Sequence, residues 1–195
     1  MNITRLGRSG LEVSRVCFGC MSFGKSTDER PWVLGLDDAR PMSRLAWEAG
    51  INFFDTTNVY TEASSEEITG QMIAEIAPRD QTVLETKVFG RTRPGGTSTK
   101  RATSDRYNKS MYDNVNGNAP AVVSVVEAVA KAHGVSMAQV AMAWLLQNSG
   151  VTAPIVGASK LSHVEQAVAA EALTLTLSEV AQLEAPHQPI HVAGF

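Results

Sequence analysis

The sequence has no surplus of positive charge. Its 17 Lys and Arg stand against 20 Asp and Glu among 195 residues, for a formal net charge of -3. A nucleic acid or an anionic membrane surface wants a basic face, so neither is an expected partner. No apolar run approaches the roughly 18 residues of a membrane-crossing helix. The opening Met1-Asn2-Ile3-Thr4-Arg5 has neither the pattern of a secretory signal nor that of a transit peptide, which makes the cytoplasm the expected location. Cysteine is scarce. Cys17 and Cys20 have the spacing of a redox or half-zinc motif. However, no second pair and no nearby His accompany them, and they lie in an apolar, strand-like run, so a structural role is expected. There is also no internal repeat and no low-complexity tract.

What is present is ordinary globular composition, 44% hydrophobic and 19% charged, in a chain long enough for one core and one domain spanning residues 1–195. Leu6-Gly7-Arg8-Ser9-Gly10-Leu11 reads as a hairpin turn between short strands. Arg15 to Gly19 is a buried strand. Asp37-Asp38 opens a helix to Gly50 with Met42, Leu45, Ala46 and Ala49 as its apolar stripe, and Ile51 to Phe54 is the next strand. Ser64 and Glu67 form a capping box ahead of Ile68, Met72 and Ile76, and Thr82 to Thr86 follows as a strand. This β-α-β-α-β order, residues 1–89, implies parallel strands. From Gly90 to Gly117 the pattern dissolves into a junction loop. Residues 118–195 then give a helix ending at Gly134 and a second with the box Ser136…Gln139. A strand Pro154 to Gly157, a helix capped by Ser162…Glu165, and a short helix from about Ser178 complete the chain.

Three polar residues stand just after strands: Asp55, Tyr60 and Lys87. In parallel α/β folds the carboxyl ends of the strands form the active face. An Asp and a Lys there can pair, and the ammonium favours proton release from a nearby phenol, a plausible general acid toward a carbonyl oxygen. From spacing alone, a structural Asp–Lys bridge with a surface Tyr is the plainer reading of the same residues. His187 and His191 are four apart, but Pro186 and Pro189 break any helix there, so no metal site is expected.

Longer motifs add a resemblance. Leu6 to Ser14 followed by Phe18-Gly19-Cys20-Met21-Ser22-Phe23-Gly24, the stretch Gly50 to Tyr60 with Ser65-Glu66-Glu67, and Thr86-Lys87-Val88-Phe89 resemble the first part of aldo-keto reductases. Ala138 to Leu146, Pro154 to Ser159 and the terminal Val192 to Phe195 resemble their end. The resemblance covers residues 1–89 and about 104–195. It implies a (β/α)₈ barrel binding NADP(H) in an extended pose and reducing a small carbonyl substrate to an alcohol. No Gly-x-Gly-x-x-Gly follows a strand, in keeping with the lack of a Rossmann domain. By position it implies Tyr60 as acid, Lys87 tuning it and Asp55 holding Lys87. Gly19 and Met21 would border the nicotinamide, while Gly157, Ser159 and Lys160 would face the 2′-phosphate. His163 stands where the family often has Gln, and Gln166 and Ala167 replace the Glu and Asn that hold the adenine. For Ser159-Lys160 a solvated helix entry is the plainer alternative.

A complete barrel of this kind needs about 250 residues, and this chain supplies only about half of the strands. The family's catalytic His, on the fourth strand, has no counterpart among His133, His163, His187 and His191. The expected fold is therefore a partial (β/α)₈ barrel, an internally truncated member whose join lies within residues 90–103. Its four parallel strands would run in barrel order 8-1-2-3, with flanking helices and an N-terminal hairpin. Its open edges and an inner face of Val, Ile, Leu and Phe would suit a homodimer that closes the ring.

Overall fold

A computed structural model describes residues 1–26, 32–87 and 119–188. The expected junction loop, the join and His191 lie outside those residues. A hairpin of β1 (Ile3–Arg5) and β2 (Glu12–Ser14) opens the chain. Its turn uses Gly7 and Gly10, both at positive φ, which glycine adopts without a Cβ penalty. Then come β3 (Cys17–Gly19), α1 (Leu36–Glu48), β4 (Phe53–Thr57), α2 (Ser64–Ile76) and β5 (Val83–Lys87). The remaining elements are α3 (Ala119–His133), α4 (Met137–Gln147), β6 (Ile155–Gly157), α5 (Leu161–Ala170) and α6 (Leu177–Glu184).

β3 to β6 form one parallel sheet in the order β5-β4-β3-β6. That is the expected 8-1-2-3 succession, with the last strand in sequence lying beside the first of the barrel strands. Every residue of β3 and β4 is buried, as fits central strands covered on both faces. The helix-side face carries Phe18, Phe54, Leu84 and Val156, packed against Ala39, Met42 and Ala46 of α1, Met72 and Ile73 of α2, and Val164 and Ala167 of α5. Phe18 meets Phe54 edge-on at 5.9 Å, a favoured aromatic geometry. A second cluster joins Val129 and Ala130 of α3, Val140 and Ala143 of α4, and Leu183 of α6. No single described helix is long and apolar enough to cross a membrane, and the one pair that passes together, α3 with α4, bends by 97°.

The opposite face differs from expectation. Phe53 is buried, not open: Val13 and Leu6 of the hairpin pack over it with Cys17. Among the described strand residues of that face, Ile155 is the exposed large apolar side chain, 54% exposed. Both thiols are free and buried. Burial pushes the Cys20 thiol up to about 12 and that of Cys17 higher still, reinforced by the Asp55 charge.

Helix starts are the other point of correction. α4 has its box, with the Ser136 hydroxyl accepting from the Gln139 N–H and Gln139 reaching back. α1 begins from Gly35, with Asp37 and Asp38 in its first turn and no capping side chain. α2 begins after Ala63 and α5 after Lys160, neither with a side-chain cap, so Ser64 and Ser162 are not N-caps. α6 carries a box the sequence reading passed over, Thr176 with Glu179. Two hydrogen bonds to Thr176 and one to His133 hold the Glu179 carboxylate down at about 2.

Candidate active site

The C-terminal ends of β4 and β5 bring Asp55, Tyr60 and Lys87 together. Parallel pairing sets Asp55 beside Glu85 and Thr57 beside Lys87. Side chains two apart share a face, so Lys87 reaches back to Asp55, and its Nζ donates to Asp55 Oδ1. Asp55 is buried while the Lys87 side chain stays 44% exposed. Partial burial works against the Lys87 charge. The hydrogen bond and charge of Asp55 outweigh it, with smaller help from Tyr60 and Glu85, and hold the Lys87 pKa above the ordinary lysine value. The same ammonium lies 5.4 Å from the centre of the half-buried Tyr60 ring, within cation–π range. The strand end is tied down by Thr57 Oγ1, which donates to the Lys87 carbonyl at 2.6 Å.

Tyr60 is followed by a local feature that sequence reasoning missed. Thr61, Glu62 and Ala63 have φ of 46°, 56° and 70°, three successive non-glycine residues in the left-handed region, which each of them enters at a cost. The surroundings enforce it. Thr61 Oγ1 donates to the Phe23 carbonyl at 3.0 Å, and Ser64 Oγ donates to the Thr61 carbonyl while accepting from the Lys25 N–H. Gly24, at φ 150°, lies so close that a Cβ there would come 2.0 Å from Thr61 Oγ1. Below this turn a buried polar stack, Thr56 Oγ1 to Ser65 Oγ to the Cys20 carbonyl, joins β4, α2 and the end of β3. Met21 follows that end and is exposed.

One row crosses the sheet on this face: Glu85, Asp55, Gly19 and Gly157 are register neighbours. The two glycines leave the path from Asp55 to β6 without a side chain. Gly19 is glycine for a packing reason, since a Cβ would sit 2.9 Å from Ile155 Cγ2 and 3.3 Å from the Val156 carbonyl. Around Gly157 there is open space. Beyond it, Ser159 and Lys160 are exposed at the uncapped N-terminus of α5, where first-turn N–H groups and a helix dipole favour an anion. His163 Nδ1 accepts from the Ser159 N–H at 3.3 Å. Gln166 points elsewhere: its Oε1 accepts from Ser136 Oγ at 3.0 Å. Ala167 is buried in the main core. Neither is placed as an adenine contact. The residues at the β6 end therefore fit a phosphate, and those at β4 and β5 fit a reacting carbonyl, but no described side chain marks an adenine site. Among the described residues no cluster of three or more His, Cys, Asp or Glu could hold a metal.

A parallel sheet with helices on one face, in the strand order seen here, is the architecture of part of a (β/α)₈ barrel. The aldo/keto reductase family model matches residues 15–119 and 95–187, so the chain belongs to the aldo-keto reductase family. It is 35% identical to versiconal hemiacetal acetate reductase of Aspergillus parasiticus over 115 residues, 58% of this chain and 33% of that protein. It is likewise 35% identical to an aldo-keto reductase of Metarhizium robertsii over 130 residues, 63% of this chain and 35% of that one. The chain thus spans about a third of the length of these curated relatives. The crystal structure of the thermostable aldo-keto reductase Tm1743 with epalrestat superposes with a TM-score of 0.70, covering 96% of this chain and 100% of that one at 16% identity. At that identity the likeness speaks for the fold, a partial (β/α)₈ barrel.

Proposed function

We propose that this chain is an internally shortened aldo-keto reductase that uses NADP(H) to reduce a small aldehyde or ketone, at a rate well below that of a complete barrel. The observation that carries the reading is the convergence of Asp55, Lys87 and Tyr60 at one end of the sheet. Ser159, Lys160 and the open backbone of Gly157 would hold the 2′-phosphate, Gly19 and Met21 would flank the nicotinamide, and His163, bonded to the Ser159 N–H, would border the phosphate. When bound, the cofactor supplies a hydride to the carbonyl carbon. Tyr60 gives its phenolic proton to the carbonyl oxygen and is reprotonated from water. The Lys87 ammonium stabilises the phenolate left behind, and Asp55 keeps that ammonium in place. Two free, buried thiols suit a reducing cytoplasm.

The rate expectation follows from what does not accompany the trio. Among the described residues His133 ends α3, His163 lies within α5 and His187 follows α6, so none stands at the end of a sheet strand to orient the carbonyl. Lost positioning costs orders of magnitude. That, with the one-third span of the relatives, favours a second reading: a remnant without turnover that binds nucleotide weakly. NADPH oxidation with an aromatic aldehyde decides between them. Turnover that falls by about 10²–10⁴-fold in Tyr60→Phe supports the reductase. Turnover unchanged in that variant removes Tyr60 as the acid, and no turnover leaves the remnant. Calorimetric titration should show NADP(H) bound more tightly than NAD(H), and equal affinity would remove the phosphate assignment at Ser159 and Lys160.

A further inference from the structure

The ladder inside the sheet fixes which backbone groups its two edges present. On β5, the Val83 N–H donates to Asn52 O at 2.8 Å and the Lys87 carbonyl accepts from Asn58 at 3.4 Å. Val83, Glu85 and Lys87 therefore turn their polar backbone toward β4, and Leu84 and Thr86 turn theirs away. On β6, Pro154 O accepts from the Cys17 N–H at 3.0 Å. Pro154 and Val156 thus face β3, and Ile155 and Gly157 face away. Each edge offers two N–H and two C=O groups that pair with nothing among the described residues. Burial agrees: β3 and β4 are wholly buried, whereas β5 and β6 run from half-buried to exposed.

We propose that a second copy of this chain covers both edges, β5 of each copy pairing with β6 of the other to close an eight-stranded ring. A two-fold axis running along the strands keeps all eight parallel, and the two edges of one chain are complementary to each other as ladder partners. Both junctions are then satisfied by the same contact, an isologous closed assembly. Faces match as well. Leu84 and Val156 lie on the helix side, Val83 and Ile155 on the other, and any even stagger keeps them so because side chains alternate with period two. Ile155, the exposed apolar side chain of β6, would then lie inside the ring beside the partner's β5. A curved half-barrel leaves no edge once two copies have met, which is the barrel's way of removing edge strands.

Size-exclusion chromatography with light scattering on the full chain at micromolar concentration should give twice the chain mass. Thr86→Pro, which removes an outward N–H from β5, and Ile155→Lys, which puts a charge on the β6 edge, should each shift it to the single-chain mass with far-UV circular dichroism unchanged. Amide exchange on the unmodified protein gives a readout that needs no variant: the N–H groups of Leu84, Thr86, Ile155 and Gly157 should be as protected as that of Phe54. A single-chain mass, an open-ended distribution of larger species, fast exchange at these four amides, or a dimer that survives both substitutions would each overturn the proposal. A single-chain mass with protected edges would show that the chain covers its own edges.

Discussion

The turn after Tyr60 holds conformational strain whose release can be measured. Glu62 sits at φ 56°, ψ 48° with an exposed side chain. A non-glycine residue there costs about 1–2 kcal/mol relative to its preferred wells. Glu62→Gly removes that cost. It also loosens the unfolded chain, at about 0.4–1 kcal/mol. The balance is a stabilisation of about 0.5–1 kcal/mol, or about 2 °C in Tm for a domain of this size. Thr61→Gly relieves the same kind of strain but removes the hydroxyl that donates to the buried Phe23 carbonyl. Leaving that acceptor unmet costs about 1–3 kcal/mol, so this variant should be neutral or destabilised. Gly24→Ala should be worse still, about 2–4 kcal/mol, because its Cβ would lie 2.6 Å from Thr61 Cβ. Urea unfolding followed by circular dichroism ranks the three. A destabilised Glu62→Gly with an unchanged m-value would refute the argument, since it would mean that the left-handed turn is not a strained one.

Asp55→Asn leaves the Lys87 ammonium without its buried partner. Breaking a fully buried pair costs about 3–5 kcal/mol, and the exposure of Lys87 brings the expected loss to about 1–2 kcal/mol by denaturant titration. The pair also predicts a pH dependence. The folded pKa of Lys87 is raised, so its contribution is complete below the unfolded lysine value of about 10.4 and is lost as pH rises through the folded one. Stability should therefore fall at alkaline pH in the unmodified protein and less steeply in Lys87→Met. Glu179 behaves oppositely. Its folded pKa is depressed to about 2, so its contribution is present above about pH 4.3 and lost as pH falls toward 2. Glu179→Gln should flatten that acid limb in thermal melts. Gly19→Ala pushes a Cβ against Ile155 and the Val156 carbonyl and should cost about 1–3 kcal/mol, with slower-migrating or aggregated species on chromatography as β6 loosens from β3.

Much of this was legible in the sequence because the informative signals were local. Alternating short apolar runs and 3.6-period stripes gave β3, β4, β5 and the helices between them, and Asp55 and Lys87 announced themselves as charges at strand ends. The box at Ser136 and Gln139 formed as its spacing suggests. Ser64 had the same kind of signature and did not cap. Its hydroxyl is taken by the Thr61 carbonyl, inside a turn held in place by Phe23 and Gly24, about 38 residues earlier in the chain. Nothing near Ser64 in sequence reports that contact. The partner of Gln166 is equally remote in sequence: Ser136, the N-cap of α4, lies 30 residues away. Four strands of a barrel on their own predict an open inner face, and Ile155 is exposed there. The hairpin, from the retained N-terminal part, covers Phe53 instead.

The two halves of the site come from different parts of the chain and meet through β3. Asp55, Tyr60 and Lys87 belong to a single β-α-β unit and converge through the β4–β5 ladder, with the turn after Tyr60 held by Phe23 and Gly24. Ser159 and Lys160 follow β6, which pairs with β3 alone among the described strands. Between them run Gly19 and Gly157, the middle and far members of the row that starts at Asp55. With strands about 4.8 Å apart, that row carries a bare backbone floor about 10 Å from Asp55 toward the phosphate end. Under the proposed function, an extended cofactor would suit such a floor, since it would pass over the strand ends. On the proposed reading, the trio rests on the β4–β5 ladder and on the turn that Phe23 and Gly24 hold after Tyr60, while holding the cofactor would need the contact between the first and last strands of the sheet. If the proposed function holds, stabilising that contact should improve cofactor affinity first and leave the geometry around Tyr60 almost unchanged.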